Sequence, residues 1–136
     1  MVEQRISDAE WDVMQYIWDQ GDVTAADVIA ALTEATGWNH RTIRTLLARL
    51  VEKQILVYEV DGNRYLYRAA VTRRQCVRKE GRSFVEKVFG GDVAALLVYF
   101  AKDSHVRSED LKTLRAILDQ KAEQASEGHQ NPGEDQ

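Results

Sequence analysis

The sequence predicts a mainly α-helical protein in which a winged helix-turn-helix is followed by an all-helical region. Three observations lead to this prediction: three capped amphipathic helices near the start, an Asp-Gly turn between two β-prone runs, and a return to helical spacing from Thr72 onward. Three helices followed by a β-hairpin form a winged helix, and short connections between the helices favour a helix-turn-helix over an up-down bundle.

The first three helices share one design, a capping side chain followed by an apolar face. Ser7, Thr24 and Asn39 are the predicted N-caps, and an acidic residue three positions after each of the first two completes a capping box. Apolar residues then recur at helical spacing, so we expect the three helices to pack into one core. The expected core residues are Val13, Met14, Ile17, Trp18, Ala25, Val28, Ile29, Leu32, Ile43, Leu46, Leu47 and Leu50.

The spacing of apolar residues changes from 3.6 to 2 between Ile55 and Tyr67. Asp61 and Gly62 separate two β-prone runs there, and Gly tolerates the positive φ that a tight hairpin turn requires. The hairpin would be the wing, with Arg64 near its tip and Arg68 further along. We therefore predict a winged-helix DNA-binding domain over residues 5–71.

Residues 72–122 form a predicted helical dimerisation domain. Their three amphipathic helices are too thin to close a core, so we expect two copies to interlock as a homodimer. The alternative is that they pack back on the winged helix of the same chain. The expected dimer contacts are Phe84, Val88, Leu96, Leu97, Phe100, Leu111, Leu114 and Leu118. Residues 123–136 are expected to be a disordered tail, because 126–136 contain no apolar side chain and the only proline.

The charge is unevenly distributed along the chain, whose net charge is −4. Residues 1–37 hold one basic and eight acidic side chains, whereas residues 38–82 hold eleven basic and four acidic, a local net charge of +7. A basic segment of this kind is typical of proteins that neutralise DNA phosphates, although a solvated basic face has the same composition.

The third helix and the wing supply the candidate DNA-binding residues. The polar face of the helix opposite its leucines carries arginines that can bond guanine edges or phosphates, and threonines that can contact a thymine methyl group or a phosphate. Double-stranded DNA is therefore the predicted partner. The candidate residues are Asn39, Arg41, Thr42, Arg44, Thr45, Arg49 and Arg64.

Several other classes of protein are disfavoured. Cys76 is the only cysteine and the three histidines lie in different segments, so we expect no metal site, and no nucleophile elbow or phosphate loop indicates an enzyme. We expect no cofactor and no small-molecule substrate. No apolar run is long enough to span a bilayer, and Met1 to Ile6 lack the apolar core of a signal peptide, so a cytoplasmic location is expected.

Four segments resemble the penicillinase repressor (BlaI/MecI/CopY) family. They read I-S-D-A-E-W-D-V-M from Ile6, W-N-H-R-T-I-R-T-L-L-A-R-L from Trp38, D-G-N-R-Y-L-Y from Asp61 and S-E-D-L-K-T-L from Ser108. The resemblance covers about residues 5–122. It implies a dimeric repressor of resistance genes that binds an inverted-repeat operator, with the third helix in the major groove.

The resemblance also implies a one-way switch. In similar repressors a membrane sensor detects a β-lactam and the repressor is then cut in its dimerisation region, which here implicates the bond between Tyr99 and Phe100. This chain departs from the family pattern there, because similar repressors have Asn before that Phe. The tail lacks the cysteine cluster of copper-responsive relatives.

Two alternative functions remain open from the sequence. The winged helix could be a protein-interaction module whose basic face docks an acidic partner. The chain could also be a repressor that responds to a small ligand or to oxidation of Cys76.

Overall fold

The computed structural model describes residues 5–129, with side chains described through residue 127. Within this range six helices and three short strands follow one another, and the predicted fold class is confirmed. The chain divides into two compact units within the fourth helix: an N-terminal unit ending at Ser83 and a C-terminal unit beginning at Phe84. The elements are α1 (Asp8–Gln20), β1 (Val23–Thr24), α2 (Ala25–Thr36), α3 (His40–Glu52), β2 (Leu56–Asp61), β3 (Arg64–Ala69), α4 (Arg73–Phe89), α5 (Val93–Ala101) and α6 (Ser108–His129).

The predicted helix starts are confirmed. At Ser7 the backbone N–H of Glu10 donates to the serine hydroxyl at 3.2 Å, and the Ser7 N–H donates back to the Glu10 carboxylate at 2.8 Å. Thr24 and Asp27 form the same reciprocal box, and the side chain of Asn39 accepts from the Thr42 N–H at 2.9 Å. Each cap satisfies a backbone donor that the helix leaves unpaired, which stabilises the fold by about 1 kcal/mol.

One apolar core holds the N-terminal unit together, and it consists of the inward faces of α1, α2 and α3 with the base of the wing. Burying each of these side chains contributes about 1.5 to 3 kcal/mol, which makes the core the main stabilising interaction. The buried members are Val13, Met14, Ile17, Val23, Val28, Leu32, Ile43, Leu46, Leu47, Leu50, Ile55 and Leu56.

The sheet contains a strand that the sequence pattern did not reveal. β1 pairs antiparallel with β3, with Val23 opposite Tyr67 and Thr24 opposite Leu66, so the strand order is β1-β3-β2. A strand of two residues is too short to show a period of two, and Thr24 was recognised only as a helix cap. This pairing joins the start of α2 to the wing.

An ion pair between a buried carboxylate and a partly exposed lysine connects the start of α1 to the end of α3. The Glu10 side chain is 1% exposed, and its carboxylate accepts from Lys53 Nζ at 2.6 Å. Lys53 is the C-cap residue of α3, and its Nζ also donates to the Arg5 carbonyl at 2.6 Å. We call this arrangement the Glu10–Lys53 clamp. It attaches the last turn of α3 to the capping box of α1.

The chain leaves α3 through a left-handed residue. Gln54 has φ 66°, and the N–H groups of Gln54 and Ile55 donate to the carbonyls of Val51 and Leu50 at 2.9 and 3.0 Å. This pattern is a Schellman ending, which satisfies two carbonyls of the last turn and redirects the backbone into β2. At the far end of the wing, Trp18 Nε1 donates to the Val71 carbonyl at 3.0 Å.

The C-terminal unit consists of the end of α4 with α5 and α6. Among its described side chains none is buried, and several large apolar ones are more than two-fifths exposed, including Phe84, Val88, Phe100 and Leu118. Helices with this much exposed apolar surface bury too little to be stable alone. Over residues 5–129, no helix is both long enough and apolar enough to cross a membrane.

The predicted disordered tail at residues 123–136 was wrong in its first part, because α6 continues to His129. Glu123, Gln124 and Ala125 are good helix formers, and a helix that has already nucleated extends without needing an apolar face. Residues 130–136 lie outside the described residues.

The Glu10–Lys53 clamp leads to a stability prediction. Glu10→Gln should lower the free energy of unfolding by about 2 kcal/mol, because it removes the charge from a buried pair and leaves the Lys53 ammonium without its carboxylate. Urea unfolding at neutral pH measures the change. As a matched control, Glu80→Gln breaks the exposed Arg5–Glu80 contact at 3.6 Å and should change stability by less than about 0.5 kcal/mol.

The same clamp sets a pH dependence. Burial alone raises the pKa of Glu10, but the hydrogen bonds from Lys53 and Ser7 outweigh burial and hold the pKa below its ordinary value of 4.5. The stabilisation is therefore complete above pH 4.5 and is lost as the pH falls through the lower folded-state pKa. The difference in free energy of unfolding between the native protein and Glu10→Gln should become smaller as the pH falls below 4.5. A difference that stays constant with pH would contradict the role given to the Glu10 carboxylate.

Candidate nucleic-acid interface

The outer face of α3 carries a row of polar side chains. Ile43, Leu46, Leu47 and Leu50 are buried on the opposite side of the helix, so the polar positions between them face outward. The side chains exposed on this outer face include five of the predicted residues, Arg41, Thr42, Arg44, Thr45 and Arg49.

The arginines of α3 are electrostatically uncompensated. Within the part of the chain that the structure describes, no carboxylate lies within ion-pair distance of Arg41, Arg44 or Arg49. The first turn of α3 also contains no acidic residue that would oppose an anion at the helix N-terminus. The face is therefore free to bind phosphates or base edges without first breaking ion pairs.

The side chain of Asn39 and the backbone N–H of Thr42 already form a hydrogen bond with each other in the folded protein. The Asn39 side-chain oxygen caps α3 through the Thr42 N–H, which leaves the Asn39 amide nitrogen as its free donor. Asn39 is exposed at the N-terminal end of the helix, where the unpaired N–H groups of the first turn also lie.

A cleft of about 450 Å³ separates the wing from the helices, and it brings together two of the predicted residues. Arg44 reaches it from α3 and Arg64 from the tip of β3. The start of α2 forms the third wall through Ala25 and Ala26, and the wing contributes Tyr65 and Tyr67. Arg41, Thr42, Thr45 and Arg49 lie outside the cleft, on the same exposed face of α3.

A tyrosine cluster covers one face of the wing, and it was not among the predicted features. The rings of Tyr58 and Tyr65 stack with centroids 4.4 Å apart, and Tyr67 lies 5.9 Å from Tyr58. The signal was present in the sequence, because a two-residue turn at Gly62 aligns Asp61 with Arg64 and hence Tyr58 with Tyr67. Side chains two residues apart then share a face.

The hydroxyl of Tyr67 remains a hydrogen-bond donor at neutral pH. Burial raises the pKa of Tyr67, and the positive charge of Arg44 only partly opposes this effect. A protonated phenol at this position can donate a hydrogen bond to a phosphate oxygen.

Arg64 is held loosely in position. Its guanidinium lies 3.5 Å from the Asp61 carboxylate, and both side chains are more than half exposed. The pKa of Asp27 is lowered mainly by the backbone N–H of Thr24, and the charge of Arg64 adds to this effect. Exposed ion pairs of this kind are weak, so Arg64 can exchange its carboxylate for a phosphate at little cost.

The predicted dimer residues lie on three helices of the C-terminal unit. Phe84 and Val88 are on α4, and Phe100 is on α5, all more than two-fifths exposed. The other predicted contacts are Leu96 and Leu97 on α5 and Leu111, Leu114 and Leu118 on α6. The bond between Tyr99 and Phe100 lies in α5, whose last helical residue is Ala101.

Comparison with known proteins identifies the family. The sequence profile described as Penicillinase repressor matches residues 6–120. The chain is 34% identical over 113 residues to the penicillinase repressor of Staphylococcus aureus, a match that covers 83% of this chain and 90% of the relative. It is 30% identical over 116 residues to the methicillin resistance regulatory protein MecI of S. aureus strain N315, covering 85% and 94%.

A solved structure of the Bacillus licheniformis BlaI monomeric form in complex with the blaP half-operator is also similar. It shares 33% identity, with a TM-score of 0.48, over 52% of this chain and 85% of that one.

The winged helix, with its exposed basic α3, places this chain in the class of winged-helix transcription regulators. Within that class the chain belongs to the penicillinase repressor family. The family consists of transcriptional repressors rather than enzymes.

Proposed function

We propose that this chain is a homodimeric repressor that binds an inverted-repeat operator in double-stranded DNA. The observation that supports the proposal best is the exposed, uncompensated arginine face of α3 beside the cleft that contains Arg44, Tyr67 and Arg64. In this arrangement α3 carries Arg44 into the major groove, and Arg64 and Tyr67 on the wing side of the cleft bind the sugar-phosphate backbone that borders the groove.

The two parts of the interface have different tasks. Arg41, Arg44 and Arg49 project from a rigid helix and can donate two parallel hydrogen bonds to a guanine, which distinguishes that base from the other three. Arg64 and the wing tyrosines contribute phosphate contacts, which increase affinity without reading the sequence. Thr42 and Thr45 add contacts to phosphates or to thymine methyl groups.

The C-terminal unit supports the homodimer. None of its described side chains is buried within one chain, so a second copy of the same surface is the economical way to cover the exposed apolar residues of α4, α5 and α6. A dimer also holds two copies of α3 about one DNA turn apart, which turns the second contact into an intramolecular step.

Specific observations disfavour two alternative functions. A protein-interaction module that docks an acidic partner could use the same arginines, but the chain belongs to a family of transcriptional repressors. Sensing of oxidation at Cys76 is disfavoured because the thiol is buried, and burial raises its pKa, which lowers the reactive thiolate fraction.

The interface leads to a paired prediction on DNA binding. Arg44→Ala should weaken operator binding by about 1 to 3 kcal/mol and relax the preference for operator over random duplex. Arg64→Ala should weaken binding to both duplexes alike and reduce the salt dependence by about one counterion. Fluorescence anisotropy on the two duplexes over a range of salt concentrations measures both effects.

Lys112→Ala is the matched control, because it removes an exposed cation of α6 that lies away from the proposed dimer face and far along the sequence from the DNA interface. Its affinities should equal those of the native protein. If the native protein shows no salt-dependent binding to random duplex even in dilute buffer, the protein-interaction module is the better interpretation of its function.

The dimer leads to a second prediction. Leu118→Glu should separate the subunits, because it places a charge on an apolar face that the partner would cover. Operator affinity should then fall at least about a hundredfold, through loss of the second contact. Sedimentation velocity measures the mass, and titration of the full operator measures the affinity.

Thr113→Glu is the control for that variant. Thr113 lies on the side of α6 away from Leu111, Leu114 and Leu118, so the same new charge should leave the dimer intact. A native protein that sediments as a single chain at micromolar concentration would refute the dimer.

We further propose that repression ends when a membrane sensor protease system causes cleavage between Tyr99 and Phe100. This bond lies near the C-terminal end of α5, where helical hydrogen bonds open most easily, and both side chains are more than two-fifths exposed. Cleavage there would detach α6 from the rest of the dimer surface.

Mass spectrometry of the repressor recovered from its own cells tests this step. After exposure to a β-lactam, we expect one fragment that ends at Tyr99 and one that begins at Phe100. Full-length repressor in cells whose target genes have become active would show that another signal relieves repression.

A further inference from the structure

A second pocket, which we call the junction pocket, lies on the N-terminal unit away from the α3 face. It has a volume of about 340 Å³, at the small end of the range for ligand sites. It lies where the start of α1, the end of α3, the end of the wing and the first turns of α4 meet. The residues that matter most here are Ile6, Ile55, Val71, Cys76, Lys79 and Glu80.

The most buried residues of the junction pocket are apolar, whereas the rest of its lining is polar or charged and consists of Lys53, Gln54, Gln75, Lys79 and Glu80. Ile55 and Cys76 are 6% and 8% exposed, and Ile6 and Val71 are partly buried beside the core. The Cys76 thiol stays neutral because burial raises its pKa, so it forms part of the apolar wall. An apolar group that enters the pocket would therefore replace water against a largely apolar surface.

The charged groups around the pocket leave one positive charge without a partner. Lys53 is bound to Glu10 in the clamp, and Glu80 lies 3.6 Å from Arg5. Lys79 has no carboxylate within ion-pair distance among the residues that the structure describes. The pocket therefore combines an apolar interior with a single unpaired cation.

We propose that the junction pocket binds a small monocarboxylate, with the apolar body of the ligand against Ile55 and Cys76 and its carboxylate on Lys79. A neutral ligand would leave Lys79 unused, and a dianion would meet Glu80 without a second free cation. The limited volume admits a compact aliphatic or aromatic acid.

The position of the pocket couples the ligand to DNA binding. Ile55 follows the left-handed turn that ends α3, and Val71 follows β3, with its carbonyl held by Trp18. A ligand that binds one arrangement of α3 and wing more tightly than another changes operator affinity by the ratio of its two affinities. This consequence rests on the proposed function, whereas occupancy of the pocket does not.

Cys76 makes occupancy directly measurable, because it is the only cysteine of the chain and lines the pocket. The probe is 3-phenylpropionate, and the rate of Cys76 modification by a coloured disulfide reagent is followed at mildly alkaline pH. Saturating probe should slow the reaction at least about fivefold, with half protection on the order of 1 mM. The uncharged 3-phenylpropanol should protect more weakly.

Lys79→Gln should weaken protection by the acid roughly threefold, as expected for one partly solvated ion pair, and leave protection by the alcohol unchanged. Arg78→Gln is the matched control, because Arg78 is an adjacent exposed cation that does not line the pocket. For each variant, the rate of Cys76 modification with probe is compared with its rate without probe, since the charge of Lys79 also affects the pKa of the Cys76 thiol.

Unchanged Cys76 reactivity at roughly 10 mM acid would overturn the site. Equal protection by acid and alcohol, or equal responses of Lys79→Gln and Arg78→Gln, would overturn the role of the carboxylate. Operator binding is measured separately with and without the probe. A protein that fails to bind DNA but shows protected Cys76 refutes the proposed function and leaves the ligand site standing.

Discussion

Burial of one side of α3 is the constraint on which the rest of the structure depends. Ile43, Leu47 and Leu50 are almost completely buried against α1 and α2, so the rotation of α3 about its axis is determined by apolar packing. The side chains that face outward are then the arginines and threonines at the intervening positions. A rotation of α3 that buried the arginines would expose the leucines. The free energy lost with the apolar contacts would exceed the free energy of any single polar contact.

Two contacts attach the wing to the helices, and a third fixes the helix end from which the wing begins. The β1 strand joins it to the start of α2, Trp18 holds the Val71 carbonyl, and the Glu10–Lys53 clamp holds the end of α3 from which the wing begins. Together these contacts place Arg64 and Tyr67 across a cleft from Arg44. The junction pocket lies among two of the same attachments, which is why a ligand there would act on the position of the wing.

The C-terminal unit obeys a different constraint. Its helices are well formed by local signals, such as the Asp92 cap that begins α5, yet no described side chain in this unit is buried. In the proposed dimer a second copy supplies that core, so breaking the association would inactivate the repressor without unfolding the winged-helix unit. In the same proposal, this separation is the reason why one cut in α5 would end repression while the winged helix stays folded.

By itself, the sequence determined the helices, their caps, the hairpin and the face of α3 that carries arginine, because each depends on residues a few positions apart. The tertiary structure decided the features that join distant residues. These are the β1 pairing, the clamp between Glu10 and Lys53, and the placement of Arg44 and Arg64 on the same cleft. No local pattern reports contacts of that kind. The length of α6 was misjudged for the opposite reason, since local helix propensity alone carries it past the last apolar residue.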